Sequence, residues 1–256
     1  MNALDVEGLT KRFGGFTALD QASFHVPAGS ITGLVGPNGA GKSTAFAVIA
    51  GFLRPDGGRV RLFGEEVTGL PPWVLHRRGL VRTFQIPRLF PRLSVLENLM
   101  AAAPPQSGER LPAPWFARRR IAEEERALRR AACAVLERLD LLGHAEAPAA
   151  QLSGGQKKLV ELGRALMSGA RVVLLDEPAA GVNRTLLRHI AATIQALNQQ
   201  DGITFLLIEH DLELVDELCP LVHCLAEGRV IASGSMAEIR RHPAVVDAYL
   251  GMAVTA

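Results

Sequence analysis

The most informative motif of this chain is the stretch Gly36-Pro37-Asn38-Gly39-Ala40-Gly41-Lys42-Ser43-Thr44. Its first and last glycines have four residues between them and are followed by Lys and Ser, which is the P-loop pattern. Glycine lets the backbone approach a ligand closely, and a helix that starts directly after the loop adds its positive end to an anion site. Lys42 would supply a mobile charge for the β- and γ-phosphates of a nucleotide. Ser43, with Thr44 beside it, would offer a hydroxyl to Mg²⁺.

The flanks of this loop have the pattern that a P-loop requires. Ile31–Val35 is a short apolar run that predicts a buried strand, and Ala45–Gly51 predicts a helix that ends at a glycine. A glycine-rich turn without a ligand is the alternative. A Rossmann fingerprint is a second alternative, but its third glycine is missing and Lys42 follows instead.

Composition limits the class of protein. The chain has 256 residues, of which 48% are hydrophobic and 21% charged, so it is globular rather than disordered. A net charge of +2 is too small to predict nucleic acid as the main partner. The cysteines have no zinc-binding spacing. No apolar run approaches the ~20 residues of a transmembrane helix, so we expect any membrane role to come through a partner.

Polar residues follow two apolar runs that predict strands buried on both faces. Asp176 and Glu177 follow Val172–Leu175, and His210 comes shortly after Ile203–Ile208. Ligands bind at the carboxyl ends of strands in open α/β sheets. Asp176 would hold Mg²⁺ through its water shell, and Glu177 would polarise an attacking water. A helix-capping acid pair and a structural histidine are the alternatives.

Three weaker signals each have an ordinary alternative. Leu152-Ser153-Gly154-Gly155-Gln156 precedes the predicted helix Lys157–Met167, so it is either a helix cap or a second anion site. Gln85, at the end of a predicted strand, suits a metal or a water, but a lone Gln is more often a surface residue. Phe13 could stack on adenine or be an ordinary half-buried aromatic.

The remaining segments complete the α/β pattern. Residues 101–120 are rich in proline and predict a loop or insertion. The Arg118-Arg119-Arg120 run opens a helical pattern that continues to Leu139, and it is either a solvated helix start or a contact for anionic lipid or a partner protein. Alternating strands and helices predict an α/β fold with a mostly parallel core.

The motifs, and their order along the chain, resemble those of the nucleotide-binding subunits of ATP-binding cassette (ABC) transporters. The resemblance covers nearly the whole chain. The matches are Phe13 for the adenine-stacking aromatic, Gly36–Thr44 for Walker A, Gln85 for the Q-loop, Leu152–Gln156 for the signature, Val172–Asp176 for Walker B, Glu177 after it, and His210 for the switch histidine.

The resemblance implies a fold and a domain organisation. We expect a P-loop NTPase (RecA-like) core with a parallel sheet, an antiparallel β edge and an inserted helical subdomain, forming a single ABC ATPase domain over 1–256. The nucleotide-binding core lobe would comprise 1–85 and 164–234. The helical lobe with the signature would be 86–163, and a helical tail would occupy 235–256.

The resemblance also implies ATP and Mg²⁺ as cofactors and assigns the site residues. Catalytic roles fall to Glu177, His210 and Lys42, and metal binding to Ser43, Gln85 and Asp176. The nucleotide-binding residues are Phe13, Gly36, Pro37, Asn38, Gly39, Ala40, Gly41, Lys42, Ser43, Thr44, Gln85, Ser153, Gly154, Gly155 and Gln156.

Partners and location follow from the same resemblance. A second ABC subunit, identical or paralogous, would pair head to tail, so that the signature of one caps the nucleotide on the P-loop of the other. Transmembrane permease subunits would bind directly and a substrate-binding protein indirectly, with no nucleic acid. The protein would lie peripherally on the cytoplasmic face of the bacterial inner membrane.

A narrower resemblance is to the ATP-binding subunits of branched-chain amino acid importers. It is carried by Arg12–Gly15, Val81–Gln85 with Arg88–Phe90, Asp176–Asn183, Glu209–Asp211 and Asp247–Gly251. Asn183 stands where the D-loop of the wider family usually has Asp, as in the narrower group. The alternatives are a urea importer and a lipopolysaccharide-export ATPase. An ABC ATPase acting on DNA or ribosomes would need a long coiled coil or a second cassette.

Overall fold

The computed structural model describes residues 1–104 and 118–250, with backbone only for Arg118 and Leu250. Most of the insertion predicted at 101–120 therefore lies outside the described residues. The chain forms two compact units. The first unit comprises Met1–Gln85, Arg171–Ala180 and Ile194–Ala256, and the second comprises Ile86–Ala170 and Gly181–Thr193.

All the strands in the described ranges belong to the first unit. They are β1 (Asn2–Phe13), β2 (Phe16–Pro27), β3 (Ile31–Val35), β4 (Gly57–Leu62), β5 (Glu65–Glu66), β6 (Leu80–Arg82), β7 (Val172–Asp176), β8 (Thr204–Ile208), β9 (Leu221–Ala226) and β10 (Arg229–Gly234). A six-stranded sheet has the order β10-β9-β3-β8-β7-β6. Its strands are parallel except that β10 runs antiparallel to β9. Every residue of β3, β7 and β8 is buried, which confirms the prediction of buried parallel strands.

A second, four-stranded sheet forms the antiparallel edge that was expected, in the order β2-β1-β4-β5. Over residues 21–26 of β2 exposed residues alternate with buried ones, so one face of this part of the strand is covered. The buried side chains of this sheet join those of the parallel sheet in one cluster, which includes Leu4, Leu19, Phe46 and Leu206. The P-loop therefore follows a strand in the middle of a packed core.

The helices are Lys42–Ile49, Pro72–Arg77, Val95–Met100, Arg118–Arg138, Gly154–Met167, Arg184–Asp201, Leu212–Leu218, Met236–Arg241 and Pro243–Leu250. In the region of the predicted tail, Met236–Arg241 and Pro243–Leu250 are separate helices, because Pro243 has no N–H to continue the first. Residues 251–256 of that predicted tail lie outside the described residues. None of the helices in the described ranges is both long and apolar enough to span a bilayer.

Close helix packing builds the second unit. A methyl group at Gly163 would lie 2.8 Å from Leu139 Cδ1, so the glycine allows close contact between two helices. The predicted boundary between the lobes fell at residue 164, whereas this unit continues to Ala170 and includes Gly181–Thr193. The helix that carries the signature runs without interruption to Met167. Residues 181–193 pack against it, with Leu186 next to Gly155. His189 Nε2 also lies 3.1 Å from the carbonyl oxygen of Leu139, the residue that follows helix Arg118–Arg138.

Candidate nucleotide and metal site

The P-loop backbone needs its glycines for two different reasons. A Cβ at Gly36 would lie 2.0 Å from the Leu225 oxygen, and one at Gly41 would lie 2.4 Å from the Ala18 oxygen, so both positions lack space for a side chain. Gly39 has φ 78°, but a methyl group there would meet no atom within 4 Å, so this position needs glycine only for its conformation. The loop is therefore packed on one side and open at its tip.

Lys42 is held inside this loop. Its Nζ donates to the carbonyl oxygens of Gly36 (2.7 Å) and Pro37 (3.0 Å), and the residue is 6% exposed. Burial lowers the pKa of the Lys42 ammonium, and the negative charges of Glu177 and Asp176 offset part of that shift. An incoming phosphate would replace these neutral carbonyl acceptors with ionised oxygens, so that both the donor and the acceptor of each hydrogen bond carry a charge.

Three of the residues predicted from the sequence, Gln85, Glu177 and His210, meet at the Glu177 carboxylate. Glu177 Oε1 lies 2.9 Å from His210 Nε2, and Glu177 Oε2 accepts a 2.6 Å hydrogen bond from Gln85 Nε2. Glu177 has φ 50°, in the left-handed region that a non-glycine residue adopts at a cost of about 1–2 kcal/mol. Such strain is often found at functional sites. Gln85 thus contacts Glu177 through its amide nitrogen, so its amide oxygen is the atom that a metal shell would use.

Asp176 has a partner that sequence reasoning missed. Arg82 Nη2 donates to Asp176 Oδ2 at 2.7 Å, and both side chains are largely buried. The available signal was a charged residue at the end of the apolar run Leu80–Val81, next to the predicted Q-loop. Its partner is 94 positions away in the chain.

Glu209 is a second residue that sequence reasoning missed. The residue is 4% exposed, and its carboxylate accepts hydrogen bonds from the backbone N–H groups of Ala179 (2.5 Å) and His210 (3.0 Å). It therefore connects the segment that follows Glu177 to the start of the His210 segment. We assign it a positioning role, since it holds two backbone segments rather than reaching into the site.

Two aromatic residues stand at the tip of the β1–β2 hairpin. Phe13 is the direct cross-strand partner of Phe16, so their side chains lie on the same face. They are 47% and 62% exposed. Phe16, which was not predicted, lines a cavity of about 780 Å³ together with the P-loop residues Pro37–Ala40. Phe13, the predicted adenine-stacking residue, has the Lys11 ammonium 5.5 Å from its ring centre.

The signature residues lie in the second unit and cap a helix. Ser153 Oγ accepts the N–H of Gln156, and the Gln156 side chain accepts the N–H of Ser153, which is a capping box. This box explains why the helix begins at Gly154 rather than at the predicted Lys157. A methyl group at Gly155 would lie 2.1 Å from Leu186 Cδ2, whereas one at Gly154 would meet no atom within 4 Å. Packing therefore explains Gly155 but leaves Gly154 with open space.

The residues present fit a nucleotide with a divalent cation. Ser43 is exposed on the first turn after the loop, and it, Gln85 and Asp176 supply hydroxyl, amide and carboxylate oxygens. Oxygen ligands of this kind are the ones that Mg²⁺ prefers. The open tip at Gly39 and the buried Lys42 ammonium would provide a cradle for the phosphates.

Comparison with known proteins gives matches over nearly the whole chain. The family described as "ABC transporter" matches residues 19–180, and the family described as "Branched-chain amino acid ATP-binding cassette transporter" matches residues 229–251. The chain is 38% identical over 250 residues to the high-affinity branched-chain amino acid transport ATP-binding protein BraF of Pseudomonas aeruginosa, covering 98% of each chain. It is 39% identical over 256 residues to LivG of Escherichia coli K12, which has the same description, again covering 98% of each.

A solved structure is similar in both sequence and fold. An ATP-binding cassette of an ABC transporter, MJ1267 in its ADP conformation, is 39% identical and superposes with a TM-score of 0.83, covering 98% of this chain and 99% of that one. The fold that the sequence predicted is therefore confirmed.

Proposed function

The chain belongs to the ABC transporter family and is an ATPase of that family, and on this premise we propose that it powers an importer of branched-chain amino acids. The proposal rests on one observation: the chain aligns over 98% of its length with relatives described as branched-chain amino acid transport ATP-binding proteins. The match at residues 229–251 to a family of the same description adds support from a separate part of the chain.

The geometry around Glu177 supports the proposed hydrolysis. Phosphoryl transfer needs positioning and charge neutralisation more than covalent chemistry. His210 and Gln85 each hold one oxygen of the Glu177 carboxylate, so that it can orient and polarise the attacking water. Lys42 would neutralise the γ-phosphate. Ser43, Gln85 and Asp176 would hold a Mg²⁺ ion, which supplies further charge neutralisation at the phosphates.

We further propose that two such subunits pair head to tail. The exposed Ser153 and the open space at Gly154 suit a phosphate of a nucleotide bound to the other subunit. The resulting interface would be isologous, with two identical sites. Permease subunits would bind the protein at the cytoplasmic face of the bacterial inner membrane and receive substrate from a binding protein.

Uptake measurements test the proposal. Cells whose only copy of the protein is native or carries Glu177→Gln are compared for uptake of labelled leucine, isoleucine, valine and urea. Glu66→Gln, the same substitution on an exposed strand residue, is the matched control. We expect Glu177→Gln to abolish uptake of the three amino acids and leave urea uptake unchanged, and Glu66→Gln to change neither.

The other outcomes distinguish the identity of the substrate from the ATPase activity. Loss of urea uptake alone would replace the amino acids with urea as the substrate. Unchanged uptake of all four compounds, in cells without a second importer, would contradict branched-chain amino acids as the substrate while leaving the ATPase assignment in place. Co-purification of permease subunits with the native protein is an independent test of the transport role.

A further inference from the structure

Arg82 and Asp176 form an ion pair at the carboxyl ends of two neighbouring parallel strands. Arg82 is the last residue of β6 and lies in register with Leu174 of β7, two residues before Asp176. Its Nη2 is 2.7 Å from Asp176 Oδ2, and the exposed fractions of the two side chains are 13% and 10%. The arginine therefore reaches along the neighbouring strand to the carboxylate that is proposed to hold the metal.

An aromatic enclosure fixes the arginine in this position. The guanidinium carbon lies 5.9 Å from the ring centres of Phe46 and Phe52 and 5.8 Å from that of Phe84. Phe52 and Phe84 also contact each other edge to face. Three rings around one guanidinium stabilise it by cation–π contacts. Arg82 Nε has no hydrogen-bond partner in the described part of the chain.

These contacts leave Asp176 as the carboxylate that balances a buried positive charge. The guanidinium group of an arginine carries a fixed positive charge. A divalent cation that uses the same carboxylate must then share it with, or take it from, the guanidinium. The two cations would repel each other at short range in a partly buried site, where charges are screened less than in water.

We propose that Arg82 is an internal counter-ion of Asp176 that competes with the divalent metal for this carboxylate and so lowers the metal affinity of the ATP site. It is a positioning residue, since its guanidinium acts through Asp176. Arg82 orients the carboxylate in the absence of a metal, and a bound metal would displace it from Oδ2. The inference rests on the proposed metal–ATP site but not on the identity of the transported substrate.

Manganese binding tests the inference without measuring activity. Free Mn²⁺ is quantified by electron paramagnetic resonance in titrations of the full-length protein saturated with a non-hydrolysable ATP analogue. Arg82→Gln keeps a hydrogen-bond donor but removes the charge, and we expect it to tighten Mn²⁺ binding by roughly ten-fold or more, as a like charge removed from within a few Å would. Arg82→Lys keeps the charge and should stay within about three-fold of the native protein, because its ammonium still opposes the metal.

Two further measurements distinguish this role from structural support alone. In an Asp176→Asn background, Arg82→Gln should tighten Mn²⁺ binding by less than it does in the native background, because the competition for the shared carboxylate is gone and only the charge repulsion remains. A lower unfolding temperature of Arg82→Gln with unchanged or weaker Mn²⁺ binding would overturn the inference.

A fluorescence titration keeps the test valid if Arg82→Gln does not fold. Trp73 and Arg82 line the same small cavity of about 270 Å³, so displacement of Arg82 should alter Trp73 emission. Mg²⁺ is added to nucleotide-saturated protein that carries Trp115→Phe and the native Arg82. No metal-dependent change in emission would contradict the displacement. If the native protein binds no Mn²⁺ with nucleotide, the proposed metal site fails; if it binds but the variants do not differ, only the inference fails.

Discussion

Glu177 and His210 meet across the ends of two adjacent parallel strands, with His210 Nε2 2.9 Å from Glu177 Oε1. The backbone places them there, because Asp176 is in register with Ile208 and the Glu177 N–H donates to the Ile208 oxygen at 3.0 Å. Two residues that are 33 positions apart thus form one unit. The carboxylate orientation depends on contacts outside its own strand.

Replacing Glu177 by Gln should remove hydrolysis but not binding. The amide keeps the size of the side chain and loses the negative charge that polarises water, so we expect turnover to fall by roughly 10²–10⁴, the usual range for a positioned acid or base. ATP affinity should change by less than about two-fold, because Lys42 and the loop remain. Steady-state hydrolysis and equilibrium binding are measured on the same preparation, with Glu66→Gln as control. An unchanged turnover would refute the assigned role.

Replacing the two signature glycines, Gly154 and Gly155, by alanine should have different effects on stability and ATP hydrolysis. At Gly155 the new methyl group would overlap Leu186, so Gly155→Ala should lower the free energy of unfolding by about 1–3 kcal/mol, as overpacking does. Gly154→Ala meets no neighbour within the described part of the chain and should leave stability unchanged while reducing ATP hydrolysis. Thermal unfolding and hydrolysis are measured for both. Full activity of Gly154→Ala would argue against a nucleotide contact at this helix start.

The hairpin aromatics provide a test of adenine recognition. Base–aromatic stacking contributes about 1–3 kcal/mol per base, so Phe13→Ala should raise the ATP dissociation constant by roughly five- to a hundred-fold. Phe16→Ala, its cross-strand partner, should change the constant by less than about two-fold. Fluorescent-nucleotide competition measures both. The reverse ranking would make Phe16, which borders the cavity beside the P-loop, the stacking residue.

A buried histidine makes stability depend on pH. His223 is 1% exposed; its Nε2 lies 2.8 Å from the His25 carbonyl oxygen and its Nδ1 2.7 Å from Ser233 Oγ. A carbonyl only accepts, so the neutral ring carries its proton on Nε2 and accepts from the hydroxyl. Burial lowers the pKa of His223 below its ordinary 6.5.

The sign of the pH effect follows from proton binding. The unfolded chain takes up the His223 proton at a higher pH than the folded protein, so this contribution to stability is complete above the ordinary pKa of 6.5 and is lost as the pH falls below it. We expect the free energy of unfolding to fall by up to about 1.4 kcal/mol per pH unit in that window. Urea unfolding of the native protein and of His223→Gln measures it, and equal slopes for the two would contradict the assignment.

Much of the candidate site could be predicted because its motifs are local. The P-loop at residues 36–44 needs only the order of its own residues, since the glycines, the lysine and the following helix start are contiguous. Asp176, Glu177 and His210 were predicted because an apolar run before each indicates a buried strand, and strand ends are where ligands bind. Gln85 and Phe13 depended on the family resemblance to be favoured over their ordinary alternatives.

The tertiary structure alone decided which of these groups contact one another. The Arg82–Asp176 pair, the Gln85–Glu177 bond and the link from Glu209 to Ala179 each join residues 30 or more positions apart. The register of β6 against β7 and of β7 against β8 brings them together. Local sequence determines where a strand ends and which side chains stand there, because side-chain alternation and burial act over a few residues. Which ends become neighbours depends on strand order and register, and these are determined by packing of the whole core.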